Sequence, residues 1–115
     1  MESQIQAVLD QVAAADPQFK AEVRTTLVRE PFEIAQDEPI VSLLRGQIRQ
    51  QLGHEPTIYG DKPWMDTAIL AAAGIPCVIF GPTGAGAHAV EEWVDLASVV
   101  QCTDVLTATI AAFCE

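Results

Sequence analysis

The feature that most constrains the fold is an uninterrupted apolar run at residues 75–80 that leads directly into a glycine-rich segment. A short apolar run without alternation is typical of a strand buried on both faces of a parallel sheet. The following segment, residues 81–94 (GPTGAGAHAVEEWV), places His88 after three glycines and before two acids and an aromatic. A strand, a flexible loop and a histidine is the order in which an α/β enzyme presents a metal ligand at a strand's carboxyl end.

Apolar spacing orders the rest of the chain. Apolar residues three and four positions apart predict helices over residues 2–14, 39–52, 65–73 and 96–113. Residues 19–28 alternate with a period of two, which predicts a half-exposed strand, and residues 57–59 predict a second, short one. From Pro39 onward the order is helix, strand, helix, strand, helix, which indicates an α/β fold with parallel crossovers.

Two helices carry a predicted core face. In the helix over residues 39–52 the face consists of Val41, Leu44, Ile48 and Leu52. In the helix over residues 96–113 it consists of Val99, Cys102, Val105, Leu106, Thr109, Ile110 and Phe113. Gly53 is the expected stop of the first of these helices.

Composition excludes several classes of partner. Six Lys and Arg stand against sixteen Asp and Glu, so the net charge is −10. Nucleic acids and anionic membranes need a clustered basic surface, so neither is expected as a partner. The three cysteines are widely spaced and form no CxxC pair, and residues 1–6 (MESQIQ) do not resemble a signal peptide. A reducing, cytoplasmic location fits best, and no membrane span is expected.

Five landmarks follow one another between Trp64 and Val99. They are Asp66 at a helix start, then Gly74-Ile75-Pro76, Phe80-Gly81-Pro82, Ala87-His88 and Glu92-Trp93-Val94. In this order the segment resembles the C-terminal part of dinuclear zinc peptidases and deacylases. That family contains acetylornithine deacetylase, succinyl-diaminopimelate desuccinylase, aminoacylase and carboxypeptidase G, and the segment is similar to its acetylornithine-deacetylase-like branch.

The resemblance implies an architecture for the whole chain. The expected fold is α/β: a partial parallel-sheet zinc-peptidase catalytic domain with helices on the sheet faces, preceded by a helix–strand piece of a lid (dimerisation) domain. Residues 1–30 would be the remnant of the lid domain, residues 31–38 a linker, and residues 39–115 the C-terminal part of the catalytic domain. Residues 29–39, with two prolines and four acids, independently suggest a connection between two units.

The resemblance also implies a reaction. Members of such a family hydrolyse the amide bond of N-acyl amino acids or small peptides, with two zinc or cobalt ions activating a bridging water and a glutamate as general base. By the motif match, His88 is the family's last metal ligand. The early His-x-Asp motif, the bridging aspartate and the Glu-Glu pair of the family are absent from the sequence, and Glu91-Glu92 follows His88 and is not that pair. Because a catalytic zinc takes about three protein ligands, we expect this chain alone to bind no metal, and we assign no catalytic residue.

Other candidate residues have less specific interpretations. Trp64 is a candidate for lining a substrate pocket, although packing over the adjoining helix is the simpler role. The loop glycines are candidates for substrate binding or for close backbone approach, since their spacing matches no phosphate-binding motif: Gly81, Gly84 and Gly86. Asp66 and Glu92 are expected to be structural residues near the site, each placing negative charge ahead of a helix.

Two alternatives to an enzyme fragment stay open. The chain could be a non-catalytic interaction or dimerisation module, or a subunit completed by a separate N-terminal partner, because a partial α/β sheet exposes strand edges. The expected partners are accordingly a second copy or a missing N-terminal catalytic portion. A small-molecule binder that uses Trp64 and His88 is the third hypothesis.

Overall fold

The computed structural model describes residues 2–114, which divide into two compact units between Glu30 and Pro31. The first unit contains helix α1 (Glu2–Ala15), which confirms the predicted helix to within one residue. A turn ends it, in which the Phe19 amide donates to the Asp16 carbonyl at 3.0 Å. No residue of α1 is buried, and its apolar face is exposed: Ile5, Val8 and Val12.

The predicted strand over residues 19–28 is wrong. These residues contain no helix or strand, and no described residue forms a ladder with them. A strand exists only through hydrogen bonds to a neighbouring strand, so period-two alternation alone does not produce one. The first unit is therefore a helix followed by an irregular segment, and its assignment to a lid domain stays a prediction.

The second unit contains three helices and one short strand pair, in the order α2 (Pro39–Leu52), α3 (Thr67–Ala72), β1 (Gly84–Ala85), β2 (Trp93–Val94) and α4 (Leu96–Phe113). The predicted bounds of α2 and α4 are confirmed. Pro39 opens α2, where its missing N–H costs nothing. Gly53 ends α2 in the left-handed region at φ 76°, and its amide donates to the Arg49 carbonyl at 3.0 Å.

The core of the second unit lies between α2 and α4. Leu44, Ile48 and Val105 form its buried cluster, and Val105 is fully buried. Val41 is also buried, which confirms the predicted face of α2. On α4 the predicted face is confirmed only for Cys102, Val105 and Thr109. The rest of that face is exposed because a single neighbouring helix covers only a narrow stripe: Val99, Leu106, Ile110 and Phe113.

The expected parallel sheet is not present among the described residues. Residues 57–59 and 75–80 contain no assigned strand, and β1 pairs with β2 in an antiparallel manner. Val78 and Phe80 pack against the core cluster, whereas Ile75 and Ile79 are exposed. Residues 75–80 are thus covered on one side only, because no described segment pairs with them. The fold is mixed α/β, and the parallel-sheet prediction is not met in this part of the chain.

Helix α4 is long and apolar enough to cross a membrane by length and composition, whereas the sequence predicted no membrane span. A core helix passes the same test. Asp104 lies in the middle of α4, and Cys102, Val105 and Thr109 are buried. The three buried residues are part of the 22% of the helix that is buried in the structure, and the absence of a membrane partner stays a prediction.

Glu55, which follows α2, forms ion pairs with two arginines of that helix. The Arg45 Nε donates to Glu55 Oε1 at 3.0 Å, and the Arg49 Nη1 lies 3.3 Å from Glu55 Oε2. The hydrogen bond from Arg45, with a smaller effect of Arg49, holds the pKa of Glu55 below its ordinary value. The carboxylate's contribution to stability is therefore present at neutral pH and is lost as the pH falls through that lowered pKa.

Candidate functional site

His88 lies on a hairpin that leads into α4. Gly84 pairs with Val94 and Ala85 with Trp93, so residues 86–92 form the loop of the hairpin. The Ala89 amide donates to the Gly86 carbonyl at 2.8 Å, which closes a turn around His88. His88 is exposed in this turn. The loop therefore presents an imidazole to its surroundings on a short, defined piece of backbone.

The backbone of His88 is itself unusual. Its φ is 64°, and among residues 2–114 no other non-glycine residue has a positive φ. This left-handed region is uncommon for side-chain-bearing residues, although histidine tolerates it better than most. Such conformations cluster at functional sites, where the surrounding structure holds them in place. This observation marks His88 independently of its side-chain chemistry.

Two of the three loop glycines are required by the closure of the hairpin. A Cβ at Gly86 would overlap the Glu91 carbonyl oxygen, and Gly86 also has a φ of 82°. A Cβ at Gly84 would overlap the Trp93 carbonyl oxygen. Gly81 has open space around it and no positive φ. Close backbone approach thus explains Gly84 and Gly86, and the substrate-binding role of the three glycines stays a prediction.

Three residues that sequence reasoning did not single out join the hairpin to α4. The Asp95 carboxylate caps α4 by accepting from the amides of Ala97 and Ser98, at 3.3 and 3.1 Å. The Ser98 hydroxyl accepts from the Thr83 amide at 2.9 Å. The available signal was an aspartate immediately before a long apolar run, which is typical of a helix N-terminus.

The other residues predicted near the site are Trp64, Asp66 and Glu92. The Asp66 side chain forms no capping bond with α3, although its carbonyl accepts from Ile69 at 2.9 Å. Glu92 is exposed and immediately precedes β2, and Trp64 is 42% exposed.

A cavity of about 250 Å³ in the second unit is lined by residues 32–35, 38, 71 and 74–77, none of which is a predicted site residue.

The donor chemistry of His88 fits one position around a zinc or cobalt ion, since an exposed neutral imidazole is a usual ligand for both. Within residues 2–114, however, no three His, Cys, Asp or Glu side chains come together as a group that could hold a metal ion. The described residues therefore do not form a complete metal site, and the ligand role of His88 stays a prediction.

Comparison with known protein families gives a match over nearly the whole chain. The model of peptidase family M20/M25/M40 matches residues 3–112. No curated protein and no solved structure matches it. The match includes both the His88 hairpin and α1, so it covers both units.

Proposed function

The chain belongs to peptidase family M20/M25/M40, and from this premise we propose that it forms the C-terminal part of a zinc- or cobalt-dependent deacylase. The family is one of metal-dependent hydrolases, and the proposed substrates are N-acyl amino acids or small peptides. The observation that carries the proposal is the family match together with a left-handed His88 in an exposed turn. The acetylornithine-deacetylase-like landmarks of residues 64–99 support the narrower choice of substrate.

In this proposal His88 is the chain's contribution to the metal site. Its ring nitrogen would donate a lone pair to one metal ion, and the fixed turn would limit the directions in which the ring can point. When bound, the metal supplies an activated water for attack on the amide carbonyl. The remaining ligands and the general base would come from polypeptide other than the described residues, and Trp64 would lie on the substrate side.

The first test compares His88 with the only other histidine of the chain, His54. Asparagine is the preferred replacement for His88, because it tolerates a positive φ and so separates ligand loss from backbone strain. We expect the purified chain and both variants, His88→Asn and His54→Asn, to retain less than one zinc per chain and to hydrolyse no N-acetyl amino acid. Elemental analysis and a ninhydrin assay measure these quantities. Stoichiometric zinc that survives His88→Asn would refute the ligand assignment.

A second experiment adds the polypeptide that is proposed to carry the remaining metal ligands. The chain is co-expressed with the N-terminal portion of a member of the same family, and the complex is purified through a tag on that portion. We expect the complex to hold zinc and to hydrolyse N-acyl amino acids, with zinc affinity falling by more than about tenfold in His88→Asn, since even an outer-shell partner of a metal has that effect. The His54→Asn complex serves as the control and should match the wild type.

A second candidate function, an interaction module, is favoured by the exposed apolar surface of α4. Leu96, Val100, Ile110 and Phe113 are each more than 60% exposed. They lie towards the two ends of α4, and large apolar side chains exposed in this number can mark an interaction surface.

Self-association tests this second candidate. If the surface binds a second copy, light scattering after size-exclusion chromatography should show a mass that rises with concentration above 12.4 kDa. The double variant Val100→Gln/Ile110→Gln should stay at the mass of one chain. A wild-type monomer at every concentration up to the millimolar range would contradict self-association.

A further inference from the structure

The hairpin that carries His88 is closed at its base by a small hydrogen-bond network, here termed the base clamp, which consists of Thr83, Asp95 and Ser98. Thr83 immediately precedes β1, and Asp95 immediately follows β2. The Asp95 amide donates to the Thr83 carbonyl at 2.9 Å, which joins the two ends of the hairpin. Every residue between these two belongs to the hairpin, so the base clamp lies at one end and His88 in the loop at the other.

The Ser98 hydroxyl connects this base to α4. Its oxygen accepts from the Thr83 amide at 2.9 Å, and its hydrogen is directed to the Asp95 carbonyl at 2.7 Å. The Thr83 carbonyl lies farther away, at 3.4 Å. One half-buried side chain in the first turn of α4 thus contacts both ends of the hairpin.

The short strands make such a connection necessary. β1 and β2 contain two residues each, and an isolated two-stranded hairpin is at best marginally stable in water. The left-handed His88 adds a conformational cost within the loop. A turn of this kind persists only if neighbouring structure holds it, and α4 is the long helix that directly follows the hairpin.

We infer that Ser98 is a positioning residue for His88: its hydroxyl fixes the base of the hairpin on α4 and thereby holds the left-handed turn that presents the imidazole. Only the functional consequence of the inference, the presentation of a metal ligand, rests on the proposed role of His88. The geometric part, that Ser98 holds the turn, is independent of any metal. Asp95 acts in the same network by capping the helix that bears Ser98.

Amide hydrogen exchange and histidine ring resonances in the metal-free chain test this inference. In Ser98→Ala we expect the amides of Thr83, Ala89 and Asp95 to exchange about three- to tenfold faster, the effect of one net hydrogen bond. The His88 ring resonances should shift, and those of His54 should not. Ser98→Thr keeps a hydroxyl and should restore both readouts. The matched control is Thr103→Ala, which removes an α4 hydroxyl that bonds only within the helix, to the Val99 carbonyl at 2.9 Å.

Two results in Ser98→Ala would count against the inference. Unchanged exchange at Thr83 and Ala89 in Ser98→Ala overturns it, and so does equal acceleration throughout α4, which would make the hydroxyl a general helix stabiliser. If Ser98→Ala does not fold, the wild type decides: a Thr83 amide that exchanges at the rate of an unstructured peptide overturns the inference, whereas protection matching that of the Val99 amide supports it. No metal enters these measurements, so a failed His88→Asn zinc experiment would refute the proposed function and leave the base clamp standing.

Discussion

Replacing Gly86 with alanine is expected to open the His88 hairpin. The added Cβ would overlap the Glu91 carbonyl oxygen, and the alanine would also have to adopt the φ of 82° that Gly86 has. The positive φ alone costs about 1–2 kcal/mol for an L-residue with a side chain, and relieving the overlap requires the two sides of the loop to separate. Together these costs come to about 2–4 kcal/mol, more than an isolated pair of two-residue strands can withstand.

The cost is confined to the hairpin because the core does not include it. Leu44, Ile48 and Val105 form the buried cluster between α2 and α4, so the loop can open without separating those helices. We therefore expect the Ala89 amide of Gly86→Ala to lose its exchange protection while the midpoint of thermal unfolding changes little. Nuclear magnetic resonance and circular dichroism measure the two effects on one sample.

Two other glycines serve as controls for Gly86→Ala. Gly81→Ala lies in the same segment but has open space and no positive φ, and it should leave the hairpin unchanged. Gly46→Ala, in the middle of α2 with nothing near its Cβ position, should raise stability by roughly 0.5–1 kcal/mol. Retained protection of Ala89 in Gly86→Ala would show that the loop can adopt another closed geometry, contrary to the prediction.

The helices were predictable because their signals are local. The apolar spacing of residues 39–52 and 96–113 and the glycine at 53 lie within the elements that they specify, so α2 and α4 agree with their predicted bounds. Residues 75–80 show the opposite case. Their apolar run indicates burial correctly for Cys77, but a strand needs a partner elsewhere in the polypeptide, and no local pattern can show whether one is present.

The candidate site was predicted in the same uneven way. The motif that contains His88 is visible in the sequence, yet its left-handed backbone and the antiparallel pairing on either side of it depend on contacts between residues eight to ten apart. Ser98 carried no signal of its own, since a hydroxyl in the first turn of a helix is common. Its role follows from the position of the Thr83 amide, 15 residues earlier in the chain.

The largest loss of stability is expected from Val105→Asp. Val105 is the fully buried side chain of the described core and lies in one cluster with Leu44 and Ile48. An unpaired carboxylate among apolar groups costs more than about 3 kcal/mol, a large part of the total for a unit of this size. We expect α2 and α4 to separate and the urea unfolding transition at pH 7 to be lost or shifted to much lower urea.

The pH dependence of stability and a matched variant show whether burial of the charge causes the destabilisation in Val105→Asp. Burial would raise the pKa of the introduced carboxyl above its value in the unfolded chain, so the penalty is complete above the folded-state pKa and shrinks as the pH falls through it. The variant should therefore recover part of its deficit relative to wild type at low pH. Val100→Asp adds the same charge to the same helix at a position that is 62% exposed, and its stability should stay within about 0.5 kcal/mol of wild type. Equal destabilisation of the two variants would mean that added negative charge on a chain of net charge −10, rather than burial, dominates, and the α2–α4 core would then not be the main source of stability.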